Sequence, residues 1–289
     1  MEIINNNPYR IAGILSNTTE RELQKQKAKI KAFSRVGKEI KSDYDFEILE
    51  EISRTEDSIN LAFSKVEQNQ DKVNYALFWF LNTNPIDNIA IENLIQGNTD
   101  KAIEQWQKVT LNKEVNSKNF SAFNNLGTYK LLLRTQDEIK EGIEAKIKLI
   151  ESKFFDNFIH SVADENFSIT SEKQIELFID DLLKQFKNKY SSSETLELFS
   201  NCNGSTKIYL TQKFTEEPIH KIESQIENTK NKRNGNRSGA HEFGLKLYID
   251  NKNNLSLLKS MLGTKDLKYN IIADNLAKEI MQCGIDYFK

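Results

Sequence analysis

The residues Ile59 to Phe80, INLAFSKVEQNQDKVNYALFWF, constrain this chain more than any other stretch. Ile59, Ala62, Phe63 and Val66 recur at helical spacing and define one apolar face. Gln68-Asn69-Gln70-Asp71 is a polar break, and Tyr75, Leu77, Phe78, Trp79 and Phe80 then follow almost without a polar residue. Rings that dense need cover on most sides, because each carries a large apolar area. The spacing predicts a helix, a turn and a strongly aromatic second helix, forming the seam between an N-terminal helical unit and the rest of the chain. Breakers are scarce, with 3 prolines and 11 glycines in 289 residues, which favours an all-α fold.

The N-terminal 82 residues read as a series of short helices. Within Asn7 to Ile14, Gly13 is expected to close a short helical turn by adopting a positive φ. Thr18 or Thr19 is the expected N-cap, with Glu22 three residues after Thr19 completing a capping box, for a helix running to about Lys41 and striped by Leu23, Ile30, Phe33, Val36 and Ile40. Ser42 to Asp45 breaks that helix, and Phe46, Leu49 and Ile52 are core candidates beyond it.

These residues carry a resemblance. Asn7-Pro8-Tyr9-Arg10-Ile11-Ala12-Gly13-Ile14 resembles the D-Y-Y-x-x-L-G-V opening of a J-domain, the helical module of DnaJ-type co-chaperones. Thr18-Thr19-Glu20-Arg21-Glu22-Leu23 resembles the start of its second helix. Ile59-Asn60-Leu61-Ala62-Phe63 resembles the I-N-x-A-Y of its third, and Asp71-Lys72 with Tyr75 the K-R-x-x-Y that follows. The likeness spans roughly a quarter of the chain. It implies a docking unit for a DnaK-type chaperone, and it departs at the decisive point. J-domains act through a His-Pro-Asp tripeptide between helices two and three. The corresponding positions, near Arg35-Val36-Gly37 or Ser42-Asp43-Tyr44, do not have it, and the first histidine is His160. The resemblance therefore implies a degenerate unit that does not stimulate ATP hydrolysis. An unrelated three-helix bundle stays open as the alternative.

Residues 83–165 resemble tetratricopeptide repeats. Pro85 opens a helix striped by Ile86, Ile89, Ala90 and Leu94, and Gln96 to Thr99 turns the chain. Ala102, Ile103, Trp106 and Val109 stripe the second helix. Phe123-Asn124-Asn125-Leu126-Gly127 resembles the W-x-x-L-G of a next repeat, whose second helix carries Ile139, Ile143, Ile147 and Ile150. Irregular helical hairpins without a groove remain the alternative. Repeats of this kind bind extended peptides on their first helices, so Asn93, Asn124 and Lys130 are the candidate peptide-binding residues. Ordinary solvated positions are the competing reading for each.

Residues 166–289 form a helical C-terminal region. Ile175, Leu177, Phe178, Leu182, Leu183 and Phe186 stripe one helix, and Lys207 to Thr211 is read as helix although it alternates like a strand. Glu217-Pro218 is expected to open a further helix. Asn228 to Ser238 is basic and low in complexity, which predicts a solvated loop, and it lacks the interleaved aromatics of a nucleic-acid site. Leu245, Leu247, Leu257, Leu258 and Leu262 pack the following helices. The last helix, Leu267 to Phe288, places Ile271, Ile272, Leu276, Ile280, Cys283 and Tyr287 on or near one face. ADNLAKEIMQCGIDYF within it resembles a segment of bacterial J-like proteins with helical repeats. Its end is expected to leave an edge for a partner or a second copy.

The formal net charge of −2 provides no field to recruit nucleic acid or anionic lipid. Cys202 and Cys283 form neither a disulfide framework nor a metal site. No apolar run is long enough to span a membrane, and the N-terminus lacks the pattern of a signal peptide, so a cytoplasmic location is expected. There is no glycine-rich phosphate loop, no Cys/His ligand cluster and no nucleophile elbow, and His241-Glu242 lacks a second histidine at zincin spacing. The expectation is a non-enzymatic interaction protein without cofactor or metal. It would be a co-chaperone-like adaptor, or alternatively a structural subunit of an assembly, with other proteins as partners.

Overall fold

The computed structural model describes residues 1–35 and 38–289, and no strand occurs among them. The all-α expectation holds. The chain divides into two units, residues 1–206 and 207–289. The expected divisions after residues 82 and 165 do not coincide with this boundary, and residues 1–206 form one compact unit. The aromatic run is the reason, since Phe78 stacks on Phe178 at 5.2 Å between ring centres and Phe80 on Trp106 at 5.9 Å.

The first unit begins with α1 (Glu2–Asn5), α2 (Pro8–Ala12), α3 (Glu20–Arg35), α4 (Glu56–Ser64) and α5 (Asn69–Ala76). Gly13 ends α2 at φ 71°, a conformation costly for any residue with a Cβ. Thr19 and Glu22 exchange the two hydrogen bonds of a capping box at the start of α3. That helix ends at Arg35, short of the expected Lys41, and residues 38–55 form an irregular connection. Val36 and Gly37, on which one reading of the His-Pro-Asp position fell, lie outside the described residues. The other, Ser42 to Tyr44, is loop, with the Ser42 hydroxyl donating to the Gly13 carbonyl at 3.1 Å. Phe46 is buried, while Leu49 and Ile52 are half-buried.

Four helices then form two hairpins: α6 (Pro85–Ile95) with α7 (Thr99–Thr110), and α8 (Phe120–Leu132) with α9 (Gln136–Glu151). The second hairpin packs backbone to backbone at Gly127 and Gly142. A Cβ on Gly142 would stand 3.0 Å from the Gly127 carbonyl oxygen and equally close to the Leu131 amide nitrogen. Helices α10 (Phe155–Val162), α11 (Ser171–Phe186) and α12 (Ser192–Leu198) complete the cover.

Two expectations fail in this unit. Helix α6 is rotated from its predicted phase, so that Asp87 is fully buried and Ile89 is exposed. The aromatic run is not a helix. Helix α5 stops at Ala76, and Leu77 to Leu81 cross the core as irregular backbone with every one of these five side chains buried.

The second unit is built from α13 (Gly204–Gly235, beginning just before the unit boundary), α14 (Ala240–Leu262) and α15 (Leu267–Tyr287). Helix α13 passes through Pro218 instead of starting there, and residues 228–235 are helical where a loop was expected. The helices meet along seams spaced alternately by three and four residues, the signature of coiled-coil packing. Ile219, Ile222, Ile226, Thr229 and Arg233 line α13, and Tyr269, Ile272, Leu276, Glu279, Cys283 and Asp286 line α15. At one end Arg233 is clamped by two carboxylates. Its Nε donates to Glu279 at 2.8 Å and its Nη1 to Asp286, with all three residues about nine-tenths buried. This clamp is why the basic segment is helix and not loop.

Candidate functional site

Irregular backbone in a core leaves donors and acceptors that no helix satisfies, and each unsatisfied group costs about 1–3 kcal/mol. Here side chains from three directions satisfy them. From the α1–α2 connection, the Asn7 amide donates to the carbonyls of Tyr75 (2.9 Å) and Phe78 (3.2 Å). Beyond α2, the Ser16 hydroxyl and amide both reach the Phe80 carbonyl, at 2.9 and 3.0 Å. Asn17 donates to the Asn82 carbonyl at 2.6 Å and accepts from its amide at 2.9 Å. From α8, Asn125 treats Leu81 in the same two-handed way, at 2.8 and 3.0 Å. Asn124 donates to the carbonyls of Ala76 (3.2 Å) and Trp79 (2.8 Å). A side-chain amide has the donor and acceptor of a peptide group at nearly the same spacing, so Asn17 and Asn125 replace a neighbouring strand.

Two charged residues extend the network. Lys146 of α9 is fully buried, and its ammonium donates at 2.6 Å to the Asn124 carbonyl, the Asn124 Oδ1 and the Thr128 hydroxyl. All three ammonium hydrogens are thereby used, and burial drives the pKa well below the ordinary lysine value. Asp87 of α6 accepts at Oδ2 from the Thr83 amide (3.1 Å), the Asn84 amide (2.9 Å) and the Ser121 hydroxyl (2.6 Å). Its Oδ1 accepts from Trp106 (3.3 Å) and Asn125 (3.1 Å). Burial raises its pKa against the opposite pull of these donors. Ser121, Asn124, Asn125 and Thr128 thus form a fully buried polar stripe on α8, spaced i, i+3, i+4, i+7. A lysine with a lowered pKa is the kind of group used as a nucleophile. This one has no exposed surface and its hydrogens are committed, so the arrangement holds the fold and offers nothing to a substrate.

The three candidate peptide-binding residues do not form a groove face. Asn124 is a correction: it is fully buried and spent on the backbone of Ala76 and Trp79, where no outside peptide reaches it. Asn93 is half-buried and donates to the Ile89 carbonyl of its own helix at 2.8 Å. Lys130 pairs with Glu141 of α9 at 2.9 Å. Two open cavities lie elsewhere on this unit. One of about 360 Å³ is lined by Asn17, Glu22, Lys41, Ser42 and Asn82 among others, and one of about 630 Å³ by Met1, Asn5, Glu50, Arg134 and Lys189 among others. Asp87, Asn124 and Lys146 line neither.

The second unit differs in its surface. Leu245, Tyr248 and Ile249 stand exposed at i, i+3, i+4 on α14, with Leu245 a correction to its expected core position. On α15, Leu267, Ile271, Met281, Ile285 and Phe288 at its end are exposed, and Ile271 leaves the core face on which it was placed. Cys283 does face inward, its Cβ 2.8 Å from where a Cβ on Gly244 would stand, and burial lifts its thiol pKa. Amphipathic patterning did not reveal these outer apolar residues, because each helix already has one buried seam. Counting a second seam on the opposite side would have found them.

Among the described residues, no group of three His, Cys, Asp or Glu side chains is placed to hold a metal ion. No helix there is long and apolar enough to cross a membrane. Comparison with protein-family models, with curated proteins and with solved structures finds no match for this chain.

Proposed function

We propose that this chain is a non-catalytic protein-interaction module that mates with other chains through exposed helix faces of its second unit. The observation that carries this is the concentration of exposed large apolar side chains on α14 and α15. Leu245, Tyr248 and Ile249 alone make a contiguous helical patch, which a partner helix would cover. This favours a subunit-like mode of binding over a peptide groove, whose central residue Asn124 is used internally. The J-like likeness of α2 to α5 fits the same role as a docking element without the His-Pro-Asp chemistry.

Replacing Leu245 and Ile249 with glutamate is expected to abolish retention of protein partners in affinity capture from the native cell while leaving the circular dichroism spectrum unchanged. Retention of the same partners by that variant would exclude the α14 face. The intact chain is expected not to accelerate ATP turnover by a DnaK-type chaperone, and acceleration would show that the N-terminal unit acts by another route.

A further inference from the structure

Helix α15 carries a second heptad seam on the side opposite its buried one: Leu267, Ile271, Asp274, Lys278, Met281, Ile285 and, just past the helix, Phe288. The steps alternate between three and four residues. Its apolar members are exposed to 73% (Leu267), 49% (Ile271), 61% (Met281), 38% (Ile285) and 86% (Phe288). Asp274 and Lys278 are exposed as well. Among the described residues neither of their side chains is engaged in an ion pair or hydrogen bond. An apolar seam interrupted at its middle by one acid and one base is unusual for a solvent face, and the order of its members is informative.

We infer that the chain forms a two-fold symmetric dimer in which α15 packs antiparallel against α15 of a second copy, centred on Leu276. In an antiparallel pair, residues equidistant from the centre face each other. Centring on residue 276 sets Leu267 against Ile285 of the second copy, Ile271 against Met281, and Asp274 against Lys278. The two-fold axis repeats each pairing. Every member of the seam from Leu267 to Ile285 meets a complement: apolar on apolar four times, acid on base twice. Each pair also joins an a position with a d position, the match that antiparallel helices require for knobs to enter holes. A parallel pair in register would set Asp274 on Asp274 and Lys278 on Lys278, which repel. The charges therefore fix both direction and register, the role such residues play in coiled coils.

This deepens the proposed function, whose exposed faces lie on α14 and α15: it assigns the α15 face to a second copy of the chain and leaves the α14 patch to other partners. The test is sedimentation velocity of the full chain across a wide concentration range, with three variants. The wild type is expected to dimerise reversibly. Asp274→Lys or Lys278→Asp alone places like charges opposite each other at two points and is expected to weaken the dimer by at least about tenfold. The double variant D274K/K278D restores opposite charges in the antiparallel register and is expected to recover wild-type association to within about twofold. These positions are exposed, so circular dichroism should be unchanged. A chain that stays monomeric at all concentrations overturns the inference, as does a dimer indifferent to the single changes or one that the double change does not rescue. A wild-type chain that stays monomeric while partner capture through α14 persists would overturn this inference alone, leaving the proposed function standing.

Discussion

Replacing Asn124 with alanine is expected to destabilise the first unit by about 4 kcal/mol, more than most single changes in a helical domain. The reason is arithmetic in hydrogen bonds. The change leaves the Trp79 carbonyl without a side-chain donor, weakens the satisfaction of Ala76, and removes one of the three acceptors of the Lys146 ammonium. A buried ammonium with a missing acceptor is costly, since it has no water to turn to. Both tryptophans of the chain, Trp79 and Trp106, lie fully buried in this unit, so urea unfolding followed by their fluorescence reads its stability without interference from the second unit. A loss below about 1 kcal/mol, the scale of an ordinary exposed hydrogen bond, would contradict the role given to this amide.

Asp87→Asn is the second large effect, and two physical arguments disagree on its sign. Neutralising a buried carboxylate removes a desolvation penalty, which alone predicts stabilisation. The hydrogen bonds predict the opposite. Both carboxylate oxygens face only donors, from Thr83, Asn84 and Ser121 on one side and from Trp106 and Asn125 on the other. The Asn84 and Asn125 amides cannot turn, because their own oxygens accept from the Ile86 and Leu81 amides. An asparagine at position 87 must point its NH2 group at donors whichever way it is rotated. A protonated Asp87 has a single O–H, which the Ser121 hydroxyl can accept, whereas an asparagine NH2 brings two hydrogens and no acceptor to one side, so a loss of about 3 kcal/mol is expected in urea unfolding. The pH dependence has a definite sign. Burial raises the Asp87 pKa above its ordinary 3.8, so the folded state holds that proton more tightly than the unfolded state. The wild-type advantage over Asp87→Asn should therefore be largest in acid and shrink as pH rises through the folded-state value.

Much of the helical frame was legible in the sequence, because apolar periodicity and capping chemistry are local. Ile59, Ala62, Phe63 and Val66 are buried together, as are Ile139, Ile143, Ile147 and Ile150, and the Thr19 box and the Pro85 start are where their residue types place them. The failures share one cause. A buried polar side chain is invisible to a hydrophobicity pattern, and its partners are far away along the chain. Ser121, Asn124, Asn125 and Thr128 have the spacing of an apolar face and the composition of a wet one. Asp87 and Ile89 exchanged their expected sides because the donors that hold Asp87 come from α7 and α8 as well as from its own turn. The Leu77 to Leu81 run looked helical because its hydrophobicity demanded burial. What made an irregular path tolerable was a set of asparagines and a serine, several of them more than forty residues distant. Arg233 was read as part of a basic loop because its acids, Glu279 and Asp286, belong to another helix.

The buried polar residues of the first unit hold an irregular aromatic segment in place. Native-state hydrogen exchange at two backbone amides tests this directly. The Leu81 amide donates to Asn125 and the Asn82 amide to Asn17, neither within any regular element. If side-chain amides lock the segment as described, both will exchange only through global unfolding of the unit, as slowly as the central amides of α8. If instead they exchange through local opening, at rates like those of the irregular 38–55 connection, the network is not what holds this core together.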